Sequence, residues 1–334
     1  MKRGNLHALI LCVIGFFIVP SFSLAGQKVI RLAHPDPIED ATHVGFVKFK
    51  DHVERESNGG IAVDIFPNGE LGNDTTTSPA VQMGELTMAL ASAPHLASLV
   101  SDLYVLDMPF AWNDDDHLWT ALNGELGRKL AASMIKAGIK PIIYYNSGFR
   151  QLANTRRAIK EADDIKGLKI RVLENAVHVA FWKALGANPT PMATGEVFTA
   201  LQQRIVDGSE NSYVRLYKEK LFEAMTHISN SKHILSPYIA FMNLAFYNSL
   251  TPDEQKIVGS AAKVASDYHM AESARIDREC FEAIVKNGVA FTPISDPERQ
   301  KIRSIAQPAA LEIIKQRVSP EVLEAFRAVS ASAK

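Results

Sequence analysis

Beyond its N-terminal segment, the sequence alternates between short strand-like runs and longer stretches with helical spacing of apolar residues. Residues 28–33 form a strand-like run, residues 42–57 have apolar side chains at helical spacing, and residues 61–66 form a second strand-like run. A helix near residues 78–84 and a strand near residues 86–91 continue the same order. This alternation predicts an α/β fold with a mostly parallel sheet covered by helices on both faces.

Several polar residues follow the predicted strands. In sheets of this kind, ligands bind beyond the carboxyl ends of the strands. His34 follows the first strand, Ser92 and His95 follow the third, and Arg150 follows a further strand at residues 140–145. These residues are candidates for a ligand site, although a surface role is an equal alternative for Arg150.

The segment KGLKIRV, residues 166–172, places an arginine inside a strand-like run. Arg171 projects from one face of the extended segment, while apolar neighbours occupy the other face. An arginine in such surroundings is unfavourable unless an anion meets it, and that anion is either an acidic side chain or a ligand. Asn211 ends the run at residues 206–211 and shares a rim with Arg150 and Arg171 if their strands are adjacent. A structural turn role is the alternative for this asparagine.

Three consecutive aspartates, Asp114–Asp116, suggest a metal site at first sight. They directly precede leucines at four-residue spacing, from Leu118 to Leu130, which predicts that a helix begins here. The helix dipole stabilises acidic side chains at a helix N-terminus. We therefore interpret the aspartates as a helix start. The ten histidines also lack the close pairing of a zinc site, so no metal is predicted.

The first residues have the pattern of an export signal. Lys2 and Arg3 precede an apolar run at residues 9–19, and small residues at positions 23 and 25 precede Gly26. This pattern predicts a secretory signal peptide over residues 1–25. The apolar run is too short for a permanent membrane anchor. We therefore expect export to a bacterial periplasm, without membrane insertion after cleavage.

Cleavage would leave about 309 residues, 334 minus 25, which suits two domains of ordinary size. Loss of Lys2 and Arg3 takes the formal net charge from −1 to about −3, with acidic and basic residues interspersed. Such a balance does not indicate a nucleic-acid partner. Cys12 would leave with the signal, so Cys280 would remain alone and no internal disulfide could form.

Five motifs occur in an order and spacing similar to those of the extracytoplasmic solute-binding subunits of TRAP transporters, the tripartite ATP-independent periplasmic carriers. The resemblance extends over nearly the whole chain after the predicted signal, including PNGELG at residues 67–72. The motifs are GFR (148–150), KGLKIRV (166–172), GANPTPM (186–192), EVFTALQ (196–202) and VDGSEN (206–211).

The resemblance implies a two-lobed periplasmic binding protein in which each lobe is a mixed sheet flanked by helices. Crossing strands and a long helix would join the lobes. By the family's layout, residues 26–148 and 237–276 form the first lobe, and residues 149–236 and 277–334 form the second. We interpret residues 252–286 as the long helix that spans both lobes.

The resemblance also assigns roles to site residues. It implies that Arg171 holds the ligand carboxylate in a two-pronged salt bridge, with Arg150 and Asn211 assisting. The planar guanidinium matches a carboxylate in a way that lysine does not. Selectivity is expected from the first lobe. The candidates there are Asp74, Ser92, His95 and His34.

Sialate-binding members of this group share several of these residues with the chain, but they tend to carry Glu and Arg where this chain has Ser92 and His95. They also have an aromatic residue at the position of Thr194. These differences favour a smaller or differently substituted acid. A dicarboxylate, a hydroxy or keto acid, a uronate and an aldonate all remain open.

The sequence thus predicts a solute-binding protein that captures a small organic acid and delivers it to the membrane subunits of a TRAP transporter, with no cofactor. An enzyme that acts on a carboxylate with the same fold is one alternative. The sequence has no GxSxG, HExxH, P-loop or glycine-rich dinucleotide motif to support it. A soluble ligand-relay protein for a sensor is a further alternative, and it would differ only in its partner.

Overall fold

The computed structural model describes residues 27–146 and 148–330. The predicted signal peptide, residues 1–25, lies outside the described residues. Within the described ranges, the strands assemble into two sheets. The strands are β1 (Lys28–Ala33), β2 (Ile61–Phe66), β3 (Met88–Ser92), β4 (Ile139–Tyr145), β5 (Gln151–Asn154), β6 (Lys169–Val172), β7 (Asn188–Pro191), β8 (Gly208–Asn211), β9 (His227–Ser229), β10 (Tyr238–Asn243) and β11 (Ala290–Thr292).

The first sheet has five strands in the order β2-β1-β3-β10-β4. Strand β1 is parallel to β2 and β3, whereas β10 is antiparallel to both β3 and β4. The four strands other than β10 therefore run in one direction. This confirms the mostly parallel sheet that the alternation of strands and helices predicts.

The second sheet has six strands in the order β11-β9-β5-β8-β6-β7. Strand β5 is antiparallel to its neighbours β8 and β9, and the remaining pairs are parallel. Strand β8 lies between β5 and β6, so the ends of the Arg150, Arg171 and Asn211 segments lie side by side. The adjacency that the site prediction required is present.

The helices cover both sheets. Helix α1 begins after Asp40, whose side chain accepts a hydrogen bond from Thr42 N at 2.8 Å, and it buries Phe46, Phe49 and Val53 against the first sheet. The helices are α1 (Ala41–Glu56), α2 (Asp74–Met83), α3 (Ala93–Leu96), α4 (Asp115–Asn123), α5 (Glu125–Lys136), α6 (Ala176–Ala184), α7 (Val197–Gln202), α8 (Tyr213–Lys218), α9 (Leu244–Ser249), α10 (Pro252–Lys286), α11 (Asp296–Arg317) and α12 (Pro320–Ser330).

Helix α10 contains 35 residues and contacts both lobes. It packs on α1 and β4 of the first lobe and on α8 of the second. Thr251 and Glu254 form a capping box at its start, and Pro252 occupies its first turn. The long spanning helix predicted from the sequence is therefore present with the predicted bounds.

The chain also crosses between the sheets from β4 to β5 and returns from β9 to β10. The two crossing segments are joined where Arg150 N donates to Ile234 O at 2.8 Å. A buried carboxylate on the first-lobe side, Asp107, accepts hydrogen bonds from Asn175 Nδ2 at 2.9 Å and from Ser236 Oγ at 2.6 Å. Asn175 precedes α6 of the second lobe, so this contact fastens the two lobes at their junction.

The C-terminal part of the chain differs from the expected layout, which assigned residues 277–334 to the second lobe. Ile302 of α11 belongs to the apolar cluster of the second lobe, but Ile314 and the α12 residues Val322 and Phe326 belong to that of the first lobe. The Phe326 ring packs edge-on against Trp112 with centroids 5.9 Å apart. The apolar face of α12 is buried against α5, so the end of the described chain returns to the first lobe.

Asp114 begins helix α4, as the sequence predicts. It is the N-cap residue, and its side chain accepts a hydrogen bond from His117 N at 2.8 Å. Asp115 and Asp116 occupy the first turn of the helix, where the helix dipole favours acidic side chains.

We expect Asp114→Ala to lower the free energy of unfolding by roughly 0.5–2 kcal/mol, because an N-cap hydrogen bond is lost. Chemical denaturation of the ligand-free protein measures this change. Asp116→Ala is the matched control, because Asp116 does not cap the helix, and it should have the smaller effect. Unchanged stability of Asp114→Ala together with weakened ligand binding would contradict the capping role.

Candidate ligand-binding site

A cavity of about 660 Å³ lies between the two lobes. The loops that follow the parallel strands line it, as expected for a ligand site in α/β sheets. The first lobe contributes residues that include Pro35, Asn68, Asn73, Asp74 and His95, and the second contributes residues that include Arg150, Leu173, Thr194, Asn211, Arg215 and Glu219.

Arg171, on β6, is fully buried behind the wall of this cavity. Its Nε and Nη2 atoms donate to Met192 O at 2.9 and 2.6 Å, and Nη2 also reaches Thr194 Oγ1 at 3.2 Å. Its Nη1 atom has no hydrogen-bond partner among the described residues. Thr194 lines the cavity, so the guanidinium lies directly behind the surface that a ligand would contact.

No acidic side chain of the described residues forms an ion pair with Arg171. Burial and the nearby charge of Arg150 lower the pKa of Arg171 to about 10, so it remains protonated at neutral pH. The guanidinium is therefore a desolvated positive charge without a counter-ion in the part of the chain that the structure describes. It differs from the predicted open fork in one respect, because two of its three nitrogen atoms, Nε and Nη2, already donate to the loop at residues 192–194.

Arg150 lines the cavity but differs more strongly from the expectation. Its Nε atom contacts Glu210 Oε2, and its Nη2 atom donates to Glu210 Oε1 at 3.0 Å and to Glu210 O at 2.6 Å. Burial alone would lower the pKa of Arg150, but Glu210 raises it above the usual value. The charge of Arg150 is thus already neutralised within the protein.

Glu210 is the central residue that the sequence analysis missed. It is fully buried on β8, and His178 Nδ1 and His233 Nε2 each lie 3.1 Å from one of its carboxylate oxygens. Burial alone would raise the pKa of Glu210, but Arg150 and His178 hold it well below the ordinary range. An acidic residue in a short buried strand requires a partner of this kind, and that was the available signal.

Asn211, at the end of β8, lines the cavity and is buried. Its Oδ1 atom accepts a hydrogen bond from Ser212 N at 3.0 Å, which leaves its NH2 group to donate. The structure thus brings Asn211 together with Arg150 at the cavity wall, with Arg171 behind it.

On the opposite side of the cavity, Asp74, Ser92 and His95 contact one another. Asp74 Oδ2 accepts from Ser92 N at 3.0 Å and lies 3.2 Å from His95 Nδ1, which is also 2.6 Å from Ser92 Oγ. Burial alone would raise the pKa of Asp74, but the hydrogen bond from His95 holds it below the ordinary value. Asp74 and His95 line the cavity, and Ser92 lies behind them.

His34 is not among the residues that line the cavity. Its ring packs 5.2 Å from the rings of both His43 and Phe46, and burial lowers its pKa to about 3. The prolines that follow, Pro35 and Pro37, reach the cavity instead. Position at a strand end therefore predicted the right loop but not the direction of the histidine side chain.

Helix α8 contributes further charged residues that the sequence analysis missed. Arg215 Nη2 lies 2.5 Å from Asp36 Oδ1, and Lys218 Nζ lies 2.7 Å from Asp40 Oδ2. Both pairs run from the second lobe to the first. Arg215 and Lys218 line the cavity, but their charges are already paired.

Two general findings concern residues 27–146 and 148–330. No three His, Cys, Asp or Glu side chains in these ranges converge as metal ligands would. No helix there combines the length and apolar character needed to cross a bilayer.

The family model of bacterial extracellular solute-binding proteins, family 7 (DctP), matches residues 32–317 of the chain. The 2,3-diketo-L-gulonate-binding periplasmic protein YiaO of Escherichia coli strain K12 is 30% identical over 290 residues, which cover 87% of this chain and 88% of the relative.

Solved structures show the same architecture. The sugar acid binding protein DctPAm from Advenella mimigardefordensis strain DPN7T, in complex with galactonate, has a TM-score of 0.86 and 28% identity, covering 92% of this chain and 99% of its own. A TRAP periplasmic solute binding protein from Shewanella oneidensis with bound succinate has a TM-score of 0.84 and 29% identity, covering 91% of this chain and 100% of its own. The chain therefore belongs to the bacterial extracellular solute-binding proteins of family 7, the DctP family, and is a solute-binding protein of the TRAP type.

Proposed function

We propose that the protein binds a small organic acid in the cavity between its lobes and delivers it, in the periplasm, to the membrane subunits of a TRAP transporter. The observation that carries this proposal is the buried guanidinium of Arg171, which has no acidic partner among the described residues. A ligand carboxylate is the counter-ion that this group lacks.

The strength of such a contact is sufficient for capture. A hydrogen bond to a charged group contributes roughly 1.5–3 kcal/mol, and a micromolar dissociation constant corresponds to about 8 kcal/mol. Two or three such bonds to one carboxylate supply much of that affinity. The Nη1 atom of Arg171 has no hydrogen bond to a described residue to give up, and Nη2 becomes available when it leaves Met192 O and Thr194 Oγ1.

The other cavity residues have supporting roles in this proposal. The NH2 group of Asn211 donates to the acid, and Arg150 contributes through its position beside Asn211 rather than through net charge. Asp74 and His95 contact the ligand from the first lobe, with Ser92 holding both in place. A ligand that touches both walls favours the closed arrangement of the lobes.

The ligands of the relatives support a carboxylate. Diketogulonate, galactonate and succinate each carry at least one carboxylate, although they differ in size and in hydroxyl groups. The shared acid group corresponds to Arg171, the cation at this site that has no acidic partner among the described residues.

An enzyme with the same fold is the rival proposal, because Asp74, Ser92 and His95 are the residue types of a hydrolytic triad. In such a triad the serine contacts Nε2 of the histidine and the aspartate contacts Nδ1. Here Ser92 Oγ and Asp74 Oδ2 both approach Nδ1 of His95. The arrangement favours a hydrogen-bonded wall over a nucleophile, and we propose that the protein is not an enzyme.

We expect Arg171→Lys to weaken binding of the cognate acid by about tenfold to 150-fold, because at least one charge-assisted hydrogen bond worth roughly 1.5–3 kcal/mol is lost. Isothermal titration calorimetry measures the affinity. Arg156→Lys is the matched control, because Arg156 is exposed and lies outside the cavity. Full affinity in Arg171→Lys would remove the basis of the proposal.

A cognate acid should also stabilise the protein against heat. At a concentration about 100 times its dissociation constant, it should add roughly 2.7 kcal/mol to the free energy of unfolding. A thermal-shift screen of organic and sugar acids, with the corresponding neutral sugars as controls, detects this gain. Equal stabilisation by neutral sugars would argue against recognition of a carboxylate.

A further inference from the structure

The cations around the cavity differ in whether an acidic side chain of the protein already neutralises them, and this difference limits which acids can bind. Three of the four cations in or directly behind its wall are paired with acidic side chains of the protein. The pairs are Arg150 with Glu210, Arg215 with Asp36, and Lys218 with Asp40. Arg171 is the fourth cation, and it alone among these lacks an acidic partner within the described residues. The site therefore offers an uncompensated charge for one carboxylate.

Glu219, immediately after α8, is an acidic counterpart to this unpaired cation. It lines the cavity, and its Oε2 atom is buried without a hydrogen-bond partner among the described residues. Its other oxygen, Oε1, lies 3.6 Å from Arg215 Nη1, which is beyond a normal hydrogen bond. A buried carboxylate oxygen of this kind needs a donor.

The surroundings of Glu219 indicate the chemical type of that donor. Burial raises the pKa of Glu219, while the positive charges of Arg215, Arg171 and Arg150 act to lower it and the negative charge of Asp74 acts to raise it. A ligand ammonium group at this position would be repelled by the uncompensated charge of Arg171, since Arg150 and Arg215 are already paired with acidic side chains. A second ligand carboxylate would face Glu219 and Asp74 without a further unpaired cation among the described residues around the cavity. A neutral hydroxyl group satisfies the oxygen without either repulsion.

We propose that Glu219 is a specificity-determining residue that accepts a hydrogen bond from a hydroxyl group of the ligand whose carboxylate Arg171 holds. This inference rests on the proposed function and narrows it to hydroxylated monocarboxylates, such as aldonates and uronates. Asp74, on the opposite wall, accepts from further hydroxyl groups of the same ligand. Dicarboxylates without hydroxyl groups are disfavoured.

The test compares acids with six carbons that differ separately in charge and in hydroxylation. Hexanoate carries one carboxylate and no hydroxyl group, and adipate carries two carboxylates and no hydroxyl group. Gluconate, galactonate, glucuronate and galacturonate each carry one carboxylate together with hydroxyl groups. Galactarate carries two carboxylates together with hydroxyl groups. Isothermal titration calorimetry with the full-length mature protein gives an affinity for each acid.

For the unmodified protein, we expect the best hydroxylated monocarboxylate to bind at least tenfold more tightly than adipate, hexanoate and galactarate. Glu219→Gln should weaken the binding of that acid about tenfold, because the negatively charged acceptor is lost. The ratio of its affinity to that of galactarate should therefore decrease. Glu219→Asp keeps the charge and should retain the preference against dicarboxylates. Glu223→Gln is the matched control, because Glu223 is exposed and does not line the cavity.

Tighter binding of adipate or galactarate than of every hydroxylated monocarboxylate overturns the inference, as does an unchanged profile in Glu219→Gln. Binding of none of the six-carbon acids also overturns it. If a different acid then binds and Arg171→Lys weakens that binding, the proposed function stands without the inference. If no acid binds at all, both fail. Ligand-free melting of each variant verifies that it is folded.

Discussion

Arg171 brings a positive charge into the second lobe at a point where water is excluded and no acidic side chain of the described residues meets it. The free energy of this charged group depends on what occupies the neighbouring cavity. Arg150 provides the contrast, because the same type of side chain, also buried at the same wall, is neutralised by Glu210. Of two arginines that look equivalent in the sequence, one is paired with an acidic side chain of the protein and the other has no acidic partner among the described residues.

Local patterns were enough to locate much of the site. The period of the strands and the rule that ligands bind beyond their carboxyl ends led to Arg171, Asn211 and His95, and these residues lie in or directly behind the cavity wall. The spacing of acidic residues and leucines was also enough to assign Asp114 as a helix cap. In each case the necessary information lies within a few residues of the chain.

The features that were missed depend on which elements become neighbours. The pairing of Arg150 with Glu210 follows from the placement of β5 beside β8, and a short run of sequence does not encode that order. Arg215 and Glu219 look like the exposed face of a short helix until α8 is packed against the first lobe. The prediction that His34 contacts the ligand site was wrong for a different reason, since the end of a strand does not determine which way the next side chain points. The apolar face of α12 could equally have covered either lobe.

The path of the chain between the lobes has a consequence for protein engineering. The polypeptide crosses the junction at the β4–β5 segment, at the β9–β10 segment, along α10 and along α11. Neither lobe is a contiguous fragment, because the first comprises three separate stretches and the second comprises two. A chimaera that exchanges one whole lobe with a homologue therefore needs four splice points, two of them inside continuous helices. Ligand preference is therefore simpler to change by exchanging individual loops between homologues than by exchanging entire lobes.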